Sequence, residues 1–142
     1  MATELKTRGS AEDWGKLLLR LTVASLLLLH GIFKVKNGVA WMAGPLSAVG
    51  LPFFVAYGVY VAEVVAPVFA IVGKFTRLAG LLIAFDMVMA ILLVLRERMF
   101  TISPQGGGLA IELETFFLMG GLAIALLGSG RYALSGGRGR WD

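Results

Sequence analysis

The chain has no cysteine among its 142 residues and a single histidine. The missing thiol excludes disulfides, thiolate nucleophiles, CxxC redox chemistry, iron–sulfur clusters and thiolate zinc sites. One imidazole excludes a bis-histidine haem within one chain. Charge is scarce as well: 15% of residues are charged and 58% are apolar, with a mean hydropathy of +0.83. A soluble domain has roughly 25% charged and 45–50% apolar residues. The excess points to lipid rather than to a large core. The net charge of +4 is modest, and no basic stripe interleaves with aromatics, so nothing favours a nucleic-acid partner. The length suits one domain over residues 1–142, and no internal repeat is visible.

What is present is four apolar runs: about Trp14–Phe33, Phe53–Gly73, Leu78–Leu95 and Leu109–Gly128. Each is close to the ~20 residues that cross a ~30 Å hydrocarbon core. The expected fold is therefore all-α, a polytopic bundle of four transmembrane helices. The breaks are "KVKNGVAWMAGPLSAVGLP", "GKFTR" and "RERMFTISPQGGG". In the first break, Trp41 and Met42 suit either a short amphipathic segment dipping into the interface or a loop resting on the headgroups. The polar start "MATELKTRGSAEDWGK" precedes the first run without a cleavage site after it, which reads as a retained helix rather than a signal peptide. Residues 129–142 form a basic, glycine-rich tail expected to be mobile. Lys6, Arg8, Lys16, Lys74, Arg77, Arg131, Arg138 and Arg140 lie on one side of the spans, Lys34, Lys36, Arg96 and Arg98 on the other. That bias puts both termini in the cytoplasm.

Ionisable residues inside spans are costly, roughly 2.5–3.5 kcal/mol each by insertion scales, and so mark candidate sites. They are Arg20, His30, Glu63, Asp86 and Glu114, with Glu112 near a span end. At about 1.5 Å rise per residue, Arg20 lies roughly 7 Å from the terminal side, Glu63 and Asp86 about 14–15 Å, and His30 and Glu114 about 21–22 Å. Glu114 shares a helical stripe with Gly121, Ala125 and Gly128, Glu63 with Ala56 and Ala70, and Asp86 with Ala79 and Ala90. Small residues let helices approach in lipid, so these carboxyls face the bundle interior. Glu112 points about 160° away from Glu114 and suits the helix start.

The resulting expectation is a polar pocket of His30, Glu63 and Glu114 with Asp86 below, a ligand-binding or proton-relay site. Arg20, Lys34 and Glu112 support it, and His30 and Glu114 are expected neighbours. A purely structural reading stays open, in which interhelical hydrogen bonds such as His30–Glu114 only lock the bundle. Arg20 is expected to snorkel or to pair with a carboxylate, and Lys34 to reach the outward interface. No metal is expected, because HExxH and repeated ExxH spacings are absent. "GGG" at Gly106–Gly108 does not make a P-loop. Gly120-Gly121 reads as a packing notch. Met87 and Met89 fall on different faces, which suits packing rather than copper.

The pieces "LLLRLTVASLLLLHGIFKV", "VGLP", the mid-span Glu63, "GKFTRLAGLLIAFDMVMA", a glutamate opening the last span and "GSGRYAL" resemble, in order and spacing, the DoxX family of four-span bacterial membrane proteins. The resemblance covers about Lys16–Leu134. "AEVVAPVFAIVG" departs from it, with a proline where a glycine-rich run is expected. The resemblance implies a subunit of a membrane redox system such as thiosulfate:quinone oxidoreductase or an oxidative-stress complex, with quinone as the possible cofactor. Its partners would be the lipid bilayer and either other redox proteins or a second copy of the chain. A non-enzymatic scaffold or assembly factor and a small oligomeric transporter are the alternatives. Whether the chain is an enzyme is open at this level: without cysteine or a metal site it carries electrons only with a bound quinone or a partner.

Overall fold

The computed structural model describes residues 2–104 and 106–142, with side chains from Ala11 onward. The side chains of Lys6 and Arg8, counted above toward orientation, lie outside the described residues.

Five helices carry the fold: α1 (Ala2–Asn37), a short α2 (Ala43–Ala48), α3 (Phe53–Val72), α4 (Thr76–Leu93) and α5 (Glu112–Leu127). Among the described residues there is no strand, only an isolated bridge between Ile102 and Leu109. Three segments are long and apolar enough to cross a membrane: Ala11–Asn37, Phe53–Val72 and Thr76–Leu93. The fourth run behaves differently from the expectation. Leu109 to Ile111 stay outside the helix, and α5 has only 16 residues. The connections put the chain ends on one side: α1 and α4 run up and down against α3 and α5, and the tail meets the end of α3 and the start of α4.

Small residues set the packing. Ala24, Ala66, Ala70 and Ala79 are buried with Leu27, Ile83, Met87 and Phe117 in one core where α1, α3, α4 and α5 meet. The most extensive helix contact is α4 with α5. There Gly80 lies against the Gly121 carbonyl, so that a Cβ on Gly80 would come 2.5 Å from it. Gly120 in turn takes the Val23 side chain, so the Gly-Gly pair is the notch its composition suggested. The outer faces carry Leu18, Phe33, Phe54, Phe85, Phe116 and Leu126, all strongly exposed. Apolar outside as well as inside is the pattern of a helix bundle solvated by lipid.

The segment after α1 is amphipathic: Met42 and Leu46 turn inward onto Val39, Ala56 and Val59, while Trp41 stays exposed. The tail departs from the expectation of mobility. Leu134 N–H donates to the Val72 carbonyl (3.1 Å), Arg131 N–H to Asp13 Oδ1 (3.1 Å), and Arg77 N–H to the Trp141 carbonyl (2.9 Å). It is laid across the terminal ends of the bundle. Arg20 is the centre of this contact. Instead of snorkelling or meeting a carboxylate, its guanidinium is 1% exposed and donates to the carbonyls of Ser129 (3.0 Å) and Tyr132 (2.6 Å).

Candidate functional site

The site is built around a local fault in α3. Within Phe53–Val72 the chain widens to a π turn over Val61–Val65, closed by the Ala66 N–H on the Val61 carbonyl. The cause is in the sequence. Pro67 has no N–H to give the Glu63 carbonyl four residues back, and its ring would press on that carbonyl in a regular helix. One extra residue in the turn relieves both problems, and such turns recur at functional positions. The departure from a glycine-rich run thus produces a widened turn centred on Glu63, the one buried glutamate among the described residues.

Gly31 of α1 meets this turn. A Cβ there would collide with the Glu63 carbonyl, so only glycine lets the two backbones touch. The close approach brings Lys34, one helical turn along α1, over the Glu63 side chain. Lys34 Nζ donates to Glu63 Oε1 (2.5 Å), with the lysine side chain 22% and the glutamate side chain 5% exposed. Lys34 therefore does not extend to the interface; it turns back into the bundle. Asp86 of α4 lies near enough to interact electrostatically with both members of the pair.

Two cavities flank the ion pair. The smaller, about 130 Å³, is lined by His30, Lys34, Glu63 and Glu114 together with Trp41, Met87 and Phe117. The larger, about 400 Å³, is lined by Lys34, Glu63 and Asp86 and by apolar groups that include Leu46, Val55, Phe85, Met89 and Leu93. Trp41, Ala90 and Val94 wall both. His30, Glu63 and Glu114 thus line one cavity, whereas Asp86 lines the other. His30 and Glu114 make no hydrogen bond among the described residues. The imidazole is exposed and packs edge-on to Phe117 (ring centroids 5.7 Å apart, 80° between planes). Glu112 is exposed at the first position of α5, away from the cavities, where it and Glu114 complement the helix dipole. Arg20 belongs to the tail contact and not to the site. Met87 and Met89 line different cavities, one each. No group of three or more His, Asp or Glu side chains is arranged to hold a metal ion among the described residues.

The Lys34–Glu63 pair, the role of Gly31 and the larger cavity are not legible in the sequence. A proline four residues after an intramembrane glutamate was the available signal for the widened turn, and "HGxxK" for the element that meets it.

The arrangement is a membrane-helix bundle with a polar centre. The DoxX family model matches residues 15–96, and the chain belongs to that family. It is 31% identical over 120 residues to "Putative oxidoreductase CatD" of Bacillus subtilis (strain 168), a match that covers 84% of each chain. It is also 32% identical over 103 residues to an uncharacterized protein of Haemophilus influenzae, over 70% of this chain and 75% of that one. No solved structure matches it. The chain is a membrane protein of the DoxX family.

Proposed function

We propose that this protein is the membrane-embedded, ligand-binding subunit of a redox-linked system, and that its ligand is a quinone held in the larger cavity. The observation that carries this reading is the chemistry of that cavity: about 400 Å³ of mainly apolar wall, with Lys34, Glu63 and Asp86 at one corner. Small-molecule sites measure roughly 300–1,000 Å³ and combine apolar walls with a few placed polar groups. A quinone ring suits the apolar wall. Its carbonyls accept hydrogen bonds, which Lys34 can donate, and the hydroxyls of the quinol donate, which Asp86 can accept. Exposed Val61 and Phe85 line the cavity, which gives an apolar ligand a lateral way in from lipid. The name of the Bacillus subtilis relative agrees with a redox role.

The proposal includes topology. Helix α5 spans only about 24 Å at 1.5 Å per residue, and with the turn before it and Gly128 after it serves as a fourth crossing. Both termini then lie in the cytoplasm of a bacterial cell, with the chain in the inner membrane.

The test uses Trp41, which lines both cavities. With Trp14 and Trp141 replaced by Phe, a short-chain benzoquinone is titrated into the detergent-solubilised protein while Trp41 emission is followed. Saturable quenching is expected, weakened at least tenfold by Asp86→Leu, as loss of about 1.4 kcal/mol implies. Quenching that rises without saturation and is indifferent to Asp86→Leu would leave the scaffold reading in its place.

A further inference from the structure

The smaller cavity has a feature that ligand binding next door does not explain. Glu63 is 3% exposed and its Oε1 is held by Lys34, yet its Oε2 is buried without a donor while the carboxyls are ionised; the Asp86 carboxyl lies within hydrogen-bonding reach of Glu63 and partners it only when one of the two is protonated. Glu114 has the same feature: its Oε2 is also buried and unpartnered. Both residues line the same 130 Å³ space. A buried carboxyl oxygen without a donor is costly, and polar cavities of this kind are filled by water. The space has room for several waters, and the polar residues that line it are Glu63, Glu114, Lys34 and His30. Its upper wall is Trp41, Leu95 and Leu113, residues at the helix ends opposite the termini, and His30 and Trp41 are exposed there.

The charges add a second argument. The titratable groups that face Glu63 are Lys34 and His30 from α1, Asp86 from α4 and Glu114 from α5. Glu63 and Asp86 meet a single ammonium. One negative charge is then left uncompensated in lipid, and a proton between the two carboxyls is the smallest group that can neutralise it.

We infer that the smaller cavity is a water-filled proton inlet, open on the side opposite the termini, leading through Glu114 to Glu63 and across the ion pair to Asp86 in the ligand cavity. The inference rests on the ligand-site reading for the purpose of the inlet, not for its existence. In each transfer one proton leaves water at the His30 mouth, passes along cavity water past Glu114, and binds Glu63 Oε2. Oε1 remains with the Lys34 ammonium, and Glu63 releases one proton to Asp86. No electron moves in this path, and the reverse sequence returns the proton.

The absence of native cysteine makes every introduced thiol unique. Single-cysteine variants Glu114→Cys, Met87→Cys and the lipid-facing Met119→Cys are placed in sealed vesicles and exposed to Ag⁺, a small hydrophilic thiol reagent, from either side. Residual thiol is read with a maleimide after denaturation. Cysteines at 114 and 87 are expected to react at least tenfold faster than at 119, and from the side opposite the termini alone. Equal rates at all three, or reaction from the terminal side, overturn the inlet. For the proton, infrared difference spectra follow a pH drop on the ligand-free wild-type protein. A carboxylic C=O band lost in Glu63→Gln is expected, and Glu114→Gln is expected to slow its rise at least tenfold. No such band before unfolding, or an unchanged rate, overturns the route. Neither measurement uses a quinone, so a failed quinone titration leaves this result standing, and the converse holds.

Discussion

Lys34 and Glu63 form a contact in which the two partners stand to lose unequal amounts. Lys34 sits near the end of α1, with a four-carbon stem and a side chain 22% exposed, whereas the shorter Glu63 side chain is 5% exposed in mid-bundle. If Glu63 is removed, the lysine can swing toward the helix end and recover water. If Lys34 is removed, the glutamate has nowhere to go. Removing one partner of a buried pair typically costs about 3–5 kcal/mol. Lys34→Met is therefore expected to destabilise the protein by about 3 kcal/mol, and Glu63→Leu by clearly less. The double variant should lie closer to Glu63→Leu than to the sum. Denaturant titration of the four proteins in mild detergent measures all three differences, and equal single costs would show that Lys34 cannot escape. At this scale the sequence was half legible. The cost of charge in lipid singled out Glu63, Asp86, His30 and Glu114, and three of them do share a cavity. Helical rise and the cost of burying charge were all that this needed. The partner of Glu63 does not follow from them, because Lys34 is 29 residues away and its stripe on α1 runs toward the interface as naturally as toward the bundle.

The elements show why the site is where it is. Helices α1, α3 and α4 are set by long apolar runs: α3 and α4 begin and end within two residues of theirs, and α1 continues past its run by twelve residues toward the N-terminus, to Ala2. The exception, α5, starts three residues late, since "GGGLAI" is apolar enough to extend a hydropathy run but too glycine-rich to extend a helix. The widened turn in α3 was not read from the sequence, although its cause is local. Proline in a helix interior costs about 3 kcal/mol relative to alanine, and here that cost shapes the Glu63 position. Pro67→Ala restores the N–H that the Glu63 carbonyl lacks and removes the clash. Against this stand two buried methylenes, about 0.8 kcal/mol each. The variant is expected to be at least as stable as the wild type. Its turn is then free to close to a regular α turn, which rotates Glu63 away from Lys34 and Gly31. Quinone affinity in the Trp41 titration should fall at least tenfold while the denaturation midpoint holds or rises. A stable variant with unchanged affinity would show that the π turn does not position the site.

Across the whole molecule, the polar centre lies toward one end and the tail closes the other. The composition of the tail, basic and rich in glycine, is that of a free linker. What overrides composition is Arg20, 109 and 112 residues from the carbonyls it holds, a distance no local pattern bridges. Other contacts support it: the Trp14 and Tyr132 rings stack 4.6 Å apart, and Arg77 donates to the Asp142 carbonyl (3.0 Å) and to the last carbonyls of α5, Ala125 and Leu126 (both 2.8 Å). Arg20 is the member whose loss should propagate. Its guanidinium is the most buried charge in the described residues, and hydrogen bonds from a charged group contribute about 1.5–3 kcal/mol each. Arg20→Met keeps the apolar stem and removes the donors to Ser129 and Tyr132. The tail should then open as a local unit while the helices stay packed, since segments of low local stability open independently of the core. Arg131, Arg138 and Arg140 are exposed within it, so limited trypsin digestion reports the opening directly. Cleavage in the tail of Arg20→Met is expected at least tenfold faster than in the wild type. Quinone quenching of Trp41, at the opposite end, should stay within about twofold of the wild-type affinity, a shift under the 1.4 kcal/mol of one decade. Equal digestion rates would mean that the remaining contacts hold the tail without Arg20. Faster digestion with lost quenching would mean that the two ends of the bundle are coupled, and that the tail forms part of the site's support.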